Sequence, residues 1–117
     1  MLPIGPAVKV SVYLNEDTGA ERGFLEAEIL AYLQAEGVNG ATVHHAHAGF
    51  GTHRRLHTSG AGDVTGLHLP VVIQFVDTRE KVEPILPALL AMVTDGLVEA
   101  HPTEILKNIS TSARVIS

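Results

Sequence analysis

A stretch of histidine, arginine and glycine near the middle of the chain contains the residues best suited to holding a ligand. No Asp or Glu occurs between Gly37 and Gly62, whereas five of the seven histidines and two of the five arginines fall there. The protein as a whole is acidic, with a formal net charge of -5 at pH 7. Cationic and hydrogen-bonding side chains among flexible glycines are well suited to recognising an anion. The segment therefore predicts an anion-binding site.

Two glycines and two arginines are the main candidates within this segment. Gly49 and Gly51 flank Phe50, and glycine allows backbone N–H groups to approach a phosphate or carboxylate closely. Arg54 and Arg55 suit bidentate anion recognition, but neighbours in an extended segment point opposite ways, so at most one should face a given ligand. A sharp turn would need the same glycines, and two solvated arginines would look the same in sequence.

The histidines raise a second hypothesis, a metal site. In a strand, His45 and His47 would share one face and His44 would lie on the other. Such a pair can bind zinc or copper, and His53 and His57 could add ligands if the segment folded back. The segment holds no carboxylate to complete a site, and a His-rich surface strand is more often only polar. We therefore keep His45 and His47 first as effector ligands and second as metal ligands.

No group of residues predicts an enzyme. Glu16 and Asp17 could act as paired carboxylates, but turns commonly hold acidic residues, and no nucleophile or oriented base accompanies them. The chain has no cysteine, which excludes a thiolate nucleophile and disulfide or thiolate metal sites. We predict no catalytic residues, and no residue pattern identifies a definite cofactor.

Composition predicts one soluble domain spanning residues 1–117. The chain is 45% hydrophobic and 18% charged, as expected of a globular protein with its own core. We expect no signal peptide, because the first residues lack a basic region followed by a long apolar one, and no apolar run is long enough for a membrane helix. Acidity and the scarcity of aromatic residues argue against nucleic acid as a partner. A cytoplasmic protein is expected.

Hydrophobic periodicity predicts alternating strands and helices. The predicted elements are a strand at 7–14, a helix at 20–36, strands at 41–48 and 67–76, a helix after Asp77, and a strand at 97–107. Asp77 is expected to cap the second helix with Glu80, and Pro84 and Pro87 to kink it or delay its start. Pro102 places the last strand at a sheet edge or bulge. Residues 49–66 form a long connection without periodicity, which is typical of a functional segment.

This order of elements predicts an α+β fold of the ferredoxin-like βαββαβ type. It would have a four-stranded antiparallel sheet with both helices on one face. The second face would then be solvated or covered by another subunit. Val72, Phe75 and Val76 are too apolar to be left in water, so an oligomer is expected.

Three short motifs carry a family resemblance. They are Gly-Ala-Thr-Val at 40–43, Gly-Phe-Gly at 49–51, and Leu-Pro-Val-Val-Ile at 69–73 followed by Val76-Asp77. Over residues 9–107 the chain resembles the uncharacterised PII-like family, a domain-of-unknown-function group. The resemblance implies a ferredoxin-like trimer related to nitrogen-regulatory PII proteins and divalent-cation-tolerance proteins. Its core would be about 7–107, with a T-loop-like connection at about 49–67.

The resemblance also implies how such a protein works. In PII proteins the T-loop contacts partner proteins, some of them membrane transporters, and nucleotides bind between subunits at its base. This chain differs in having the acidic segment 95–101 where PII proteins have a Gly-rich, Lys-containing phosphate loop, and its loop lacks the tyrosine that some PII proteins modify. The resemblance thus supports the fold more strongly than adenine-nucleotide binding.

The prediction is a homotrimeric signalling protein that presents a mobile loop to an unidentified partner protein. A small anionic effector, with a nucleotide among the candidates, would bind between subunits. The residues expected to bind it are Gly49, Phe50, Gly51, His45, His47, Arg54 and Arg55. The alternative is a protein that binds a divalent metal through His45 and His47.

Overall fold

The computed structural model of this chain describes residues 2–15, 19–45, 48–49, 57–58 and 71–109. Within them one strand and one helix are followed by four strands, a second helix and a last strand. They are β1 (Gly5–Leu14), α1 (Gly19–Ala35), β2 (Ala41–His45), β3 (Ala48–Gly49), β4 (His57–Thr58), β5 (Val71–Asp77), α2 (Arg79–Met92) and β6 (Gly96–Ile105).

The main sheet has four antiparallel strands in the order β2-β5-β1-β6. This order, with one helix after β1 and one after β5, is the ferredoxin-like α+β arrangement that the sequence predicts. β6 is an edge strand, which explains how it tolerates Pro102, because a proline cannot donate a hydrogen bond to a further strand.

Strand alternation divides the sheet into an apolar face and a mixed face. Val10 and Val12 of β1 and Ile73 of β5 are fully buried, and they pack with Ile29 of α1 and Leu89 of α2. This cluster is the core, and both helices cover it from one side. Because side chains of a strand alternate between faces, the residues between these positions lie on the other side of the sheet.

We call the mixed face the open face, because the helices do not cover it. The register places these residues on it: Lys9, Ser11, Tyr13, Thr42, His44, Val72, Gln74, Val76, Leu97, Glu99 and His101. Phe75 is not among them. It is only 2% exposed and belongs to the helix-covered core, so assigning it to the second face was wrong. Val72 and Val76 do lie there, half-buried.

β2 covers the first part of the strand predicted at 41–48, of which residues 46–47 lie outside the described residues. It pairs with β5 from Ala41 opposite Phe75 to His45 opposite Val71, and Val71 is the first residue of β5. Ala48 and Gly49 pair instead with Thr58 and His57 in a separate two-stranded sheet, so part of the connection predicted to lack regular structure is paired.

The start of α2 also differs from the prediction. Thr78, not Asp77, is the N-cap, and its hydroxyl accepts a hydrogen bond from the Lys81 backbone N–H at 3.3 Å. Asp77 is instead the buried last residue of β5. α2 runs from Arg79 through Pro84 and Pro87 without a delayed start. Both prolines are exposed, so water can reach the carbonyl groups that they leave without a helical partner.

In the described part of the chain, neither helix is long and apolar enough to cross a membrane.

Candidate functional site

The structure describes two of the seven residues predicted to bind an effector, His45 and Gly49. Gly49 pairs with His57, which brings the two ends of the segment 50–56 to adjacent strand positions. The remaining candidates lie outside the described residues, and their roles stay predictions. They are His47, Phe50, Gly51, Arg54 and Arg55.

His45 lies at the end of β2 on the side of the sheet that carries α1. Its Nε2 is 3.8 Å from Oε2 of Glu26, and the imidazole is 60% exposed. His44 lies on the open face beside Val72, as strand alternation predicts. The sequence segment around His45 holds no carboxylate, but the fold brings one to it from α1. Spacing within the segment could not have revealed this, because Glu26 is on a different element.

A polar cavity occupies one end of the open face, near the start of β2. It measures about 350 Å³ and its wall includes the following residues: Lys9, Asn39, Gly40, Thr42, Gln74 and Val76. An ammonium group, two amides and a hydroxyl line it, so it offers several hydrogen-bond donors and one full positive charge. We call it the open-face cavity.

The turn between α1 and β2 separates this cavity from a second one. The second cavity measures about 330 Å³ and is lined on the helix side by Leu30, Leu33 and Val38, with Asn39 and Gly40 common to both. Buried Asp77 fixes this turn, since its Oδ2 accepts a hydrogen bond from the Asn39 N–H at 3.1 Å while Oδ1 accepts one from the Thr78 N–H at 2.8 Å. One carboxylate thus joins the cavity wall to the start of α2.

Hydrogen bonds between strands order the open face beside the cavity. Gln74 Nε2 donates to Ser11 Oγ at 3.1 Å, and the Tyr13 hydroxyl donates to Glu99 Oε2 at 2.7 Å. The bond to the Glu99 carboxylate, together with burial, raises the pKa of Tyr13, because both favour the neutral phenol. Ser11 is only 2% exposed, so its hydroxyl depends on partners such as Gln74.

The phenol of Tyr13 gives a direct test of this arrangement. The chain has two tyrosines, and burial raises the pKa of Tyr32 as well. Titration followed by ultraviolet absorbance should therefore show tyrosinate forming above the ordinary midpoint of about 10. Glu99→Gln should lower the midpoint of one tyrosine only, and Glu104→Gln should change neither. An unchanged titration in Glu99→Gln would contradict the Tyr13–Glu99 hydrogen bond.

Sequence reasoning missed the open-face cavity. Its polar residues come from three strands and a turn, and each looks ordinary by itself. A signal was available in β1, where Lys9, Ser11 and Tyr13 alternate with valines, because such alternation marks a face that is not core. Gln74, a polar residue inside an otherwise apolar run, was the second signal. Only the register between strands shows that these positions meet.

The described residues contain no group of three or more His, Cys, Asp or Glu side chains that could hold a metal ion. His45 and Glu26 together supply two such groups.

The family DUF190, described as "Uncharacterized ACR, COG1993", matches residues 7–105. A curated relative, a UPF0166 protein of Methanocaldococcus jannaschii, is 30% identical over 92 residues, which cover 76% of this chain and 82% of the relative.

Several solved structures that resemble this chain are PII-like proteins. CPII, a nitrogen regulatory PII-like protein from Thiomonas intermedia bound to ADP, AMP and bicarbonate, is 21% identical, with 92% of this chain and 94% of that chain covered and a TM-score of 0.65. A proposed PII-like signaling protein from Thermus thermophilus is 17% identical, with 89% and 91% covered and a TM-score of 0.57. At these identities the similarity concerns the fold, and it confirms the PII-like arrangement.

Proposed function

The chain belongs to the DUF190 family, and from this premise we propose that it is a PII-like regulatory protein that binds a small anionic effector. The observation that carries the proposal is the open-face cavity, where Lys9 adds a positive charge to the donors of Gln74 and Thr42. CPII, which shares the fold, has been solved with ADP, AMP and bicarbonate. All three ligands are anions, and the lysine suits the same class. A nucleotide is therefore the leading candidate effector.

We further propose that three copies of the chain assemble through their open faces. Val72 and Val76 are only half-buried there, and Leu97 is 58% exposed. Packing against a second copy would remove this apolar surface from water, which favours association. The polar residues around them suit a wet cleft at the rim of such an interface, and the open-face cavity would then lie between subunits.

The segment that follows β2 is proposed to report binding to a partner protein. Gly49, Phe50 and Gly51 would form its base, and Arg54 or Arg55 with His45 or His47 would supply charge and donors. Binding would select one arrangement of the segment, and a difference of a few kcal/mol between arrangements is enough to change their populations. Since His45 already lies beside the Glu26 carboxylate, an anion there would have to displace or outweigh that carboxylate. A pull-down would identify the partner protein, for which a membrane transporter is one candidate.

A thermal-shift panel tests the effector. AMP, ADP, a cyclic nucleotide, bicarbonate and 2-oxoacids should be compared, and a ligand at 100 times its dissociation constant should stabilise the protein by about 2.7 kcal/mol per site. Gln74→Leu should reduce the shift if the effector occupies the open-face cavity. Arg55→Ala or Gly51→Ala should reduce it if the effector occupies the loop base.

Arg79→Ala is the matched control for Arg55→Ala, because Arg79 is exposed on α2, where it pairs with Glu83 at 3.6 Å. It should leave every shift unchanged. The absence of a shift with any anion would contradict an effector-binding function.

The metal alternative gains support from the placement of Glu26. An imidazole and a carboxylate 3.8 Å apart can approach one zinc or copper ion with a small side-chain movement, and carboxylate was the ligand type missing from the segment. Zinc and copper therefore belong in the same panel. A metal-dependent shift lost in both Glu26→Gln and His45→Gln, but kept in Glu28→Gln on the exposed side of α1, would favour this alternative.

A further inference from the structure

We infer that Lys9 and His101 form a cationic subsite beside the open-face cavity, which binds the phosphate or carboxylate group of the effector. The inference rests on the proposed function and specifies where the charge of the ligand is held. Neither residue belongs to the histidine- and arginine-rich segment that dominates the sequence.

Sheet register brings the two residues together. Lys9 of β1 is the direct partner of His101 on β6, with Val76 of β5 on its other side. Directly opposed residues of antiparallel strands have Cβ atoms about 4.5–5.5 Å apart and share a face. Lys9 also lines the open-face cavity, so the pair lies at the cavity's side nearest β6.

The charges around this pair leave it positive. Among the open-face residues the only carboxylate is Glu99, two positions before His101 on β6. The Tyr13 hydroxyl donates a hydrogen bond to Glu99 Oε2 at 2.7 Å. Tyr13 is farther along β1 from Lys9 than the position opposite Glu99, so this bond draws the carboxylate away from Lys9. From β5, Gln74 and Val76 face the pair, and neither is charged. His101 also lines a cavity with Arg79 and Glu83 of α2, which form an ion pair at 3.6 Å and so add no net charge. Within the described ranges, Lys9 and His101 form no ion pair.

A lysine and a histidine directly opposite each other, with no carboxylate between them, can both bind one anion. Lysine supplies a point charge that suits phosphate and carboxylate alike. The imidazole of His101 adds a ring N–H group that can donate a second hydrogen bond to the anion. Neutral parts of the ligand would meet Gln74 and Thr42 in the cavity.

This arrangement gives Tyr13 a positioning role. Without its hydroxyl, the Glu99 carboxylate is free to turn toward Lys9 and His101 and to compete with the ligand. Tyr13→Phe should therefore weaken anion binding although Tyr13 lies outside the cavity. Removing the competing charge in Tyr13→Phe/Glu99→Gln should restore it, which a purely structural role of the tyrosine does not predict.

Calorimetric titration of the full chain with AMP and with adenosine tests the subsite. A hydrogen bond to a charged group contributes about 1.5–3 kcal/mol, so Lys9→Met should weaken AMP binding about tenfold or more and leave adenosine nearly unchanged. His101→Leu, which removes the ring N–H donor, should weaken AMP binding and leave adenosine binding nearly unchanged. Lys107→Met, at an exposed lysine just after β6, is the control and should bind like the unmodified protein. Inorganic phosphate and acetate as competitors separate phosphate from carboxylate preference.

The outcomes distinguish this inference from the function on which it rests. The subsite would be contradicted if Lys9→Met bound AMP as tightly as the unmodified protein does. If Gln74→Leu bound AMP more weakly in the same experiment, the proposed effector site in the cavity would still be supported. Equal losses for AMP and adenosine in Lys9→Met would also overturn the subsite, since the lysine would then act on the whole cavity. Failure of the unmodified protein to bind any of these anions would overturn both proposals. Thermal unfolding of each variant shows whether it is folded.

Discussion

Replacing Leu89 with alanine is expected to lower the free energy of unfolding by about 2–5 kcal/mol. Leu89 is fully buried in the core cluster, where α2 packs on β1 and β5. The substitution loses the transfer free energy of the removed carbons and leaves a cavity that surrounding valines and isoleucines fill only in part. Urea denaturation followed by circular dichroism measures the change, and it should appear as a lower midpoint with a similar slope.

The next residue is the matched control. Leu90 is chemically identical to Leu89 and lies in the same helix, but it is 52% exposed. Leu90→Ala should change stability by no more than about 0.5 kcal/mol, because exposed positions without special contacts tolerate substitution. Equal losses in the two variants would show that the face of α2 turned toward the sheet has been assigned incorrectly.

Gly96→Ala should destabilise the protein by about 1–3 kcal/mol or more, through overpacking rather than through a cavity. A Cβ built at Gly96 would overlap the backbone carbonyl of Tyr13, its neighbour across the β1–β6 ladder. β1 is paired with strands on both sides, so this carbonyl cannot move without disturbing the register that holds Lys9 and Ser11. Thermal unfolding would measure the loss.

Gly40→Ala provides the comparison, because a Cβ at Gly40 would meet no atom within 4 Å. The same chemical change should leave stability nearly unaffected there. A large loss in Gly40→Ala, or none in Gly96→Ala, would contradict the close approach of β6 to β1.

The fold could be predicted from the sequence because its local signals agree with one another. Alternation from Val8 to Leu14, the apolar run at the start of β5 and helical spacing between them allow few other arrangements. Boundaries were less predictable where two residues compete for one role. Asp77 and Thr78 are both good N-caps, and Thr78 takes the cap because Asp77 is the last paired residue of β5 and turns its carboxylate to Asn39.

The candidate site was much less predictable, for a physical reason. A binding site is a property of distance in space, and the sequence shows only spacing along the chain. The concentration of histidine and arginine in one segment is visible without a structure, whereas the meeting of Lys9 with His101, or of Glu26 with His45, depends on strand register and helix placement. Loss of AMP binding in Lys9→Met and not in Arg55→Ala would show that the less conspicuous group holds the charge.

The position of β2 has a consequence for how such a protein can diversify. The open-face cavity lies near Thr42, at one end of this five-residue strand. The histidine- and arginine-rich segment continues from His45, at the other end. At about 3.3 Å per residue, the two regions are about 10 Å apart along a strand that β5 holds in register. Mutations and insertions beyond His45 can therefore accumulate without disturbing the cavity. Under the proposed function, the same cavity can in this way be combined with different segments after His45, and a designer could exchange that segment in the same manner.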